Sequence, residues 1–340
     1  MRPVQHAKAM RITAFAVGVV VLLLSLSLGP IRIAPERILD ILWQWLLQRE
    51  TQLPAHETAT ITMIRLPRTL TAMLTGAALA GAGAVLQGLT RNPLVEPALI
   101  GISTGGAVGA ALVIVFGGAL MWLPAAAFAL SLMVCFGVMA LARVDGHTPA
   151  TTLLLAGIAV NALASAILGL LTYAADDPAL RTLTFWLFGS VARTGWQELA
   201  LLTPVLVVCG AVMLRQTRVL DALTLGDAAA GHLGFAVERS RRLLIAAVAL
   251  SVGAVVAYTG VIAFVGLVVP HVARMFCAPG HRSLLPTAML TGAVLTVAAD
   301  TVARLVVAPA ELPIGVVTAL CGAPFFIALL YAKRRQLESL

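Results

Sequence analysis

The chain has 340 residues, of which 60% are hydrophobic and 11% charged, with a mean hydropathy of +0.98 and a formal net charge of +8. That balance excludes a soluble globular domain, because too few polar residues remain to cover so much apolar surface; the solvent for most of the chain is lipid. A transmembrane β-barrel is excluded too, since barrel strands alternate polarity over about ten residues and the apolar runs here do not alternate.

Roughly 20 apolar residues cross a bilayer as a helix. Apolar segments of that kind fall at 12–29, 64–90, 98–118, 122–142, 150–174, 195–214, 243–259, 261–277, 283–308 and 312–332. The first follows Arg2, Lys8 and Arg11 as a signal sequence would. However, "LSLSLGPIRI" has no small-x-small cleavage site and the run is long enough to span, so it reads as a retained helix. Between the first two segments, "PERILDILWQWLL" repeats Ile38, Leu39, Ile41, Leu42, Trp45 and Leu46 at helical spacing, with Glu36, Arg37 and Asp40 on the other face. This predicts an amphipathic helix over about 35–48, lying along the interface with its tryptophans at headgroup depth.

The second segment opens with "ITMIRLPRTL", where Arg65 and Arg68 stand three residues apart and share one helix face. "TGAALAGAGAVLQG" follows, then Gly101, Gly105 and Gly109, a ridge of small residues read as a helix-packing surface rather than a pathway lining. In "RNPLVEPALIGISTGG", Pro93 and Pro97 forbid a continuous helix and leave backbone groups that need partners. The stretch is either a structural turn or a pore mouth, with Asn92 polar and Leu94 able to plug a narrow opening. Asp176 and Asp177 fall in a connecting loop.

The basic stretch 215–242 contains "LTLGDAAAGHLG", in which Asp227 reads as a helix N-cap, Ala228 to Ala230 as helix, and Gly234 as a left-handed stop. A helix so short is marginal alone. The segment is a solvated connector or a docking element with Leu225, Leu233 and Phe235 as its apolar contacts. The run Leu243 to Pro270 is too long for one span and is broken at Gly260.

Lys and Arg of short loops stay on the cytoplasmic side. Basic clusters at both ends, Arg2 to Arg11 and Lys333 to Arg335, together with the 215–242 loop, place both termini inside and require an even number of spans. Arg65, Arg68 and Arg304 then fall outside as exceptions. The chain has two lysines, Lys8 and Lys333, and neither belongs to a GxxxxGK phosphate loop. Deep acidic residues are scarce as well: Asp300 and Glu311 sit near outer ends and His271 near an inner one. This disfavours the alternative of a secondary carrier driven by an ion gradient. Cys135, Cys209, Cys277 and Cys321 form no CxxC and read as buried small hydrophobes. No His, Cys or carboxylate cluster with metal-ligand geometry appears, which disfavours bare metal ions as cargo.

Five stretches together, "RLPRTL", "GAVLQGLTRNPLVEP", "LTLGDAAAGHLG", "FVGLVVPHVAR" and "ADTVARLVVAPAELPIGVVTALCGAPFF", resemble the permease subunits of type II ABC importers for iron-siderophores, haem and vitamin B12, the FecCD type. The resemblance runs over nearly the whole chain in the right order. It implies an all-α polytopic membrane protein, one permease domain over 1–340 with about ten spans, paired around a central pathway as a homodimer or a close pseudo-dimer in the bacterial inner membrane. It also implies two cytoplasmic ATPase subunits, a periplasmic substrate-binding protein, no nucleic-acid partner and no catalysis by this chain. No cofactor is expected here, with ATP and Mg held by the ATPase.

By the same resemblance, Arg65, Arg68 and Arg304 receive acidic residues of the binding protein. Asn92 and Leu94, with Thr151 and Thr152, form the cytoplasmic gate. Leu225, Gly226, Asp227, His232, Leu233 and Gly234 couple to the ATPase, Asp227 standing where many members carry glutamate. The stretch "LLTYAADDPALRTLTFWLFGSVA" resembles haem-importing permeases more than siderophore ones, which favours haem as cargo over ferric siderophores, with cobalamin further back.

Overall fold

A computed structural model describes residues 2–49 and 53–338. Among them no β-strand forms, and the helices are α1 (Arg2–Ser27), α2 (Pro35–Leu46), α3 (Ala55–Ala59), α4 (Leu66–Thr90), α5 (Ile102–Val115), α6 (Leu123–Leu141), α7 (Ala150–Ala174) and α8 (Asp177–Leu187). They continue with α9 (Trp196–Arg215), α10 (Thr217–Leu223), α11 (Asp227–His232), α12 (Val237–Thr259), α13 (Val265–Phe276), α14 (His281–Leu305) and α15 (Ile314–Glu338). Six helical stretches are long and apolar enough to cross a membrane, and four shorter apolar ones, Phe15–Ser27, Ile102–Val115, Val265–Phe276 and Ile314–Leu329, occupy the remaining predicted segments.

α4 is the centre of the bundle. A π-helical turn over Thr60–Arg65 joins it to α3, so that Ala55–Thr90 is one helix of 36 residues whose most apolar window is 78% buried. It packs on α9, α12, α13 and α14, and its small residues let the backbones approach. The Gly105 and Gly109 ridge is used in the same way: a Cβ at either would press on backbone oxygens of α6, so the packing reading of that ridge holds. α7 is the opposite case, with only 17% of its window buried and Leu155, Leu163, Leu170 and Tyr173 facing outward.

The predicted interfacial helix forms as α2. Ile38 and Ile41 are buried with Leu26, Ile33 and Ile61, while Trp45 stacks on Trp196 at a centroid distance of 5.6 Å. The Trp196 indole donates to the Thr62 carbonyl at 2.8 Å, inside the π-turn where the ladder is loosened. The predicted break at Gly260 is also present. Its φ of +68° ends α12, and no side chain fits there because a Cβ would overlap the Trp186 carbonyl.

The structure revises three expectations. Asp176 and Asp177, read as loop, open α8: the Asp176 carboxylate caps it by accepting from the Ala179 N–H at 2.9 Å, and Pro178 sits in the first turn. Asp227 is not an N-cap. Gly226, at φ +106°, takes that position and Asp227 is the first helical residue. Cys135 and Cys209 are buried as expected, but Cys277 is half-buried and Cys321 is exposed on α15.

Candidate functional site: two charged ends of one bundle

The 25 residues of α4 rise about 37 Å at 1.5 Å each. Arg68 therefore stands at one end of the bundle and Arg91, just past Thr90, at the other. Each end carries a network built from residues far apart in sequence.

At the Arg68 end the three arginines converge, but they are not open charges. Arg65, Arg68 and Arg304 are each no more than 6% exposed. Arg68 reaches α14, donating from Nη2 to Asp300 at 2.8 Å, and from Nη1 to Glu311 at 2.9 Å. Arg304, one turn on from Asp300, pairs with it at 3.2 Å and donates to the Ser25 hydroxyl at 2.8 Å. Arg65 turns the other way, to the end of α1, where it donates to the carbonyls of Leu26 at 2.6 Å, Ser27 at 3.2 Å and Ile31.

The two arginines expected to share a face thus send their side chains to different helices, Arg65 to the end of α1 and Arg68 to α14. Arg68 and Arg304 are matched by two carboxylates, Asp300 and Glu311, while Arg65 meets only carbonyls, so this end keeps one formal positive charge. Glu311, the half-open member, also lines a cavity of about 190 Å³ with Phe185, Trp186, Arg193 and Tyr258.

At the other end α4 stops at Arg91, whose φ of 53° is left-handed. The Asn92 side chain then accepts from the Leu94 N–H at 3.0 Å, which fixes the turn and leaves Leu94 52% exposed. Glu96 follows in the same turn, and burial raises its carboxyl above the usual range. The chain makes a short 3-10 turn, Pro97–Ile100, before α5. Its freed carbonyls are met from α7: Asn161 donates to Ala98 at 2.9 Å and Leu99 at 3.1 Å and accepts from the Thr104 hydroxyl at 2.5 Å.

Sequence reasoning passed over Asn161, although an amide within "LLLAGIAVNAL" is the signal that irregular backbone lies beside it. Asn161→Leu is expected to orphan two carbonyls and cost about 2 kcal/mol, read as a lower unfolding midpoint in detergent, whereas Asn161→Gln recovers part of it.

Thr151 is exposed, and the Thr152 hydroxyl is spent locally, on the carbonyls of Ala142 at 2.8 Å and Pro149 at 3.0 Å. Among the described residues no hydrogen bond joins these threonines to Asn92 or Leu94. They share an end of the bundle but no hydrogen bond.

α11 lies at the same end. Leu225 and Leu233 are 70% and 61% exposed, and His232 and Gly234 are exposed with them, so two of the three apolar contacts predicted for a docking element face outward, while the third, Phe235, packs against the core instead. Ala230 is buried and Asp227 pairs with Arg241 at 2.6 Å, which holds the short helix to the start of α12. Among the described residues no group of three or more His, Cys, Asp or Glu has the geometry to hold a metal ion.

Residues 17–332 match the model of the FecCD transport family. The chain is 44% identical over 279 residues to the hemin transport system permease protein HmuU of Yersinia pestis, covering 80% of this chain and 83% of that one. It is 43% identical over 292 residues to the cobalamin import system permease protein BtuC of Halobacterium salinarum, covering 85% and 78% respectively. A solved structure described as an inward-facing conformation of a metal-chelate type ABC transporter superposes with a TM-score of 0.83 at 34% identity, covering 96% of this chain and 99% of that one. ATP hydrolysis in such importers resides on a separate ATPase subunit, which removes the ion-gradient alternative. The chain belongs to the FecCD transport family and is the membrane permease component of an ABC importer.

Proposed function

We propose that this permease moves haem from periplasm to cytoplasm by alternating access, as a homodimer in the bacterial inner membrane with both termini cytoplasmic. Two ATPase subunits dock on Leu225, His232 and Leu233 of each copy's cytoplasmic end, and ATP and Mg are held there, not by this chain. A binding protein delivers cargo at the Arg68 end, where the net positive charge left by Arg65, Arg68 and Arg304 against Asp300 and Glu311 favours an acidic partner. Asn92 and Leu94, with Thr151 and Thr152, act as the cytoplasmic gate. The second copy covers the exposed face of α7 and an apolar groove of about 520 Å³ lined by Leu187, Phe188, Val261, Leu320 and Ile327.

The observation that supports the cargo reading is the wall of the Arg68-end cavity: Phe185, Trp186 and Tyr258 offer flat apolar contact and Arg193 a cation, which suits one edge of a planar porphyrin bearing carboxylates, the cavity being too small to enclose the whole. The resemblance of 170–192 to haem permeases points the same way, while the similarity to a hemin permease and to a cobalamin permease is nearly equal. The test is uptake into vesicles holding the permease, its ATPase and its binding protein, comparing haem, a ferric siderophore and cobalamin. Haem is expected to be taken up fastest; preference for either other chelate overturns the cargo assignment and leaves the permease assignment standing.

A further inference from the structure

Among the described residues no hydrogen bond joins α11 to Asn92, Leu94, Thr151 or Thr152, yet one buried side chain ties α11 to the residues just before α7. Arg241, near the start of α12, has a side chain only 4% exposed. Its Nη2 donates to the Asp227 carboxylate of α11 at 2.6 Å. Its Nη1 donates to the Thr148 carbonyl at 3.0 Å and lies 3.4 Å from the Glu238 carboxylate. Glu238 in turn accepts from the Thr148 hydroxyl at 2.9 Å and from the Thr148 N–H at 3.3 Å. Thr148 stands three residues before Thr151, next to Pro149, on which α7 begins. The second face of Asp227 looks to Arg91, 3.8 Å away, the residue before Asn92.

We propose that Arg241 is the positioning residue that transmits displacement of α11 to both cytoplasmic gate segments: directly to Thr148 and α7, and through Asp227 and Arg91 to the Asn92–Leu94 turn. The proposal rests on the reading of α11 as the ATPase contact and of these segments as the gate.

Physical chemistry favours this link over the alternatives. α11 has six residues and cannot hold its own orientation. Of its ties to the rest of the chain, the Arg241 pair is the one that combines burial with charge, so breaking it leaves Arg241 without the carboxylate of α11. A planar guanidinium with two donors on different segments resists shear between them in a way a single ammonium cannot. The Arg91 pair is long and half exposed, with both side chains above 40%, and is the weaker branch.

The experiment uses the complete complex of permease, ATPase and binding protein in vesicles, with haem as cargo. Arg241→Gln is expected to keep assembly and ATP hydrolysis while haem taken up per ATP hydrolysed falls about tenfold. Arg241→Lys should restore part of the ratio, because lysine reaches Asp227 but cannot also fork to Thr148. Spin labels at 94 and 151, each measured against 207 on α9, should shift when ATP is trapped in the unsubstituted complex and stay still in Arg241→Gln. Should Arg241→Gln fail to assemble, Arg91→Ala decides: it cuts only the weaker branch and is expected to lower the ratio about threefold and to hold label 94, not 151, in place.

An unchanged ratio with normal label movement in Arg241→Gln, or in Arg91→Ala where that variant decides, overturns the proposal. A complex that moves no haem in unsubstituted form counts against the cargo reading instead, and the labels, which report without cargo, still decide the role of Arg241.

Discussion

Replacing Arg68 by methionine is expected to lower the stability of the folded permease by about 3 kcal/mol, the low end of the cost of stranding one member of a buried ion pair. Asp300 has a side chain 2% exposed and would keep only Arg304, whereas Glu311, at 37%, can turn to water. That difference is why the loss falls at the low end. The check is a double-mutant cycle in detergent unfolding. Asp300→Asn on top of Arg68→Met removes the stranded carboxylate, so the double variant should be more stable than the sum of the single changes predicts. Strict additivity would show that the two side chains do not depend on each other. The same cycle separates stability from docking: a binding protein that recognises only net positive charge should bind the double variant nearly as well as the original, since one charge of each sign has been removed.

Gly83→Val is expected to be at least as damaging. α4 crosses α13 at this point, and a Cβ on Gly83 would overlap the Gly266 carbonyl and Cα, which are backbone. Gly266 has little room to retreat, because even its own Cβ would stand 3.0 Å from the Pro97 ring and 3.1 Å from the Leu79 carbonyl. Overpacking of a side chain costs about 1–3 kcal/mol, and a clash that must move two helices and the turn at Pro97 with them belongs at or above the top of that range. Folded, monodisperse permease should be nearly lost from membrane extracts. Gly137→Ala on α6 is the control. Nothing lies within 4 Å of its added methyl, so the change should be neutral or stabilise by up to about 1 kcal/mol. Equal recovery of the Gly83 and Gly137 variants would refute the packing account.

The two predictions also show why the site was only partly readable beforehand. Arg65, Arg68 and Arg304 stood out because permanent charge in an apolar chain needs a reason. Asp300 and Glu311 stood out as scarce acids near the same side, but their pairing did not, because Asp300 lies 232 residues from Arg68 and nothing local announces the contact. Charge in a sequence suggests openness to a partner; here burial turns most of that charge inward. Arg241 was lost for the opposite reason. It sits in a basic loop where any arginine looks like a mark of sidedness, and only the approach of Asp227 and Thr148 separates it from Arg239 and Arg242.

The sequence by itself determined what depends on local composition and spacing: a lipid-soluble helical chain, its apolar segments, the amphipathic α2, the break at Gly260 and the short helix before Gly234. Each follows from hydropathy, periodicity or a residue with restricted backbone freedom, all properties of a few adjacent residues. Tertiary structure decided what depends on distance: that α8 is a helix packed by Leu183 and not a loop, that Gly226 and not Asp227 caps α11, and that Asn161 closes the turn at Ala98. It also decided that three conspicuous arginines are held within the chain and a fourth, inconspicuous one joins the segments at the opposite end. In a medium that offers few hydrogen bonds, polar groups must find one another across helices. Which ones meet is set by how the bundle closes, and that is written in no short stretch of the chain.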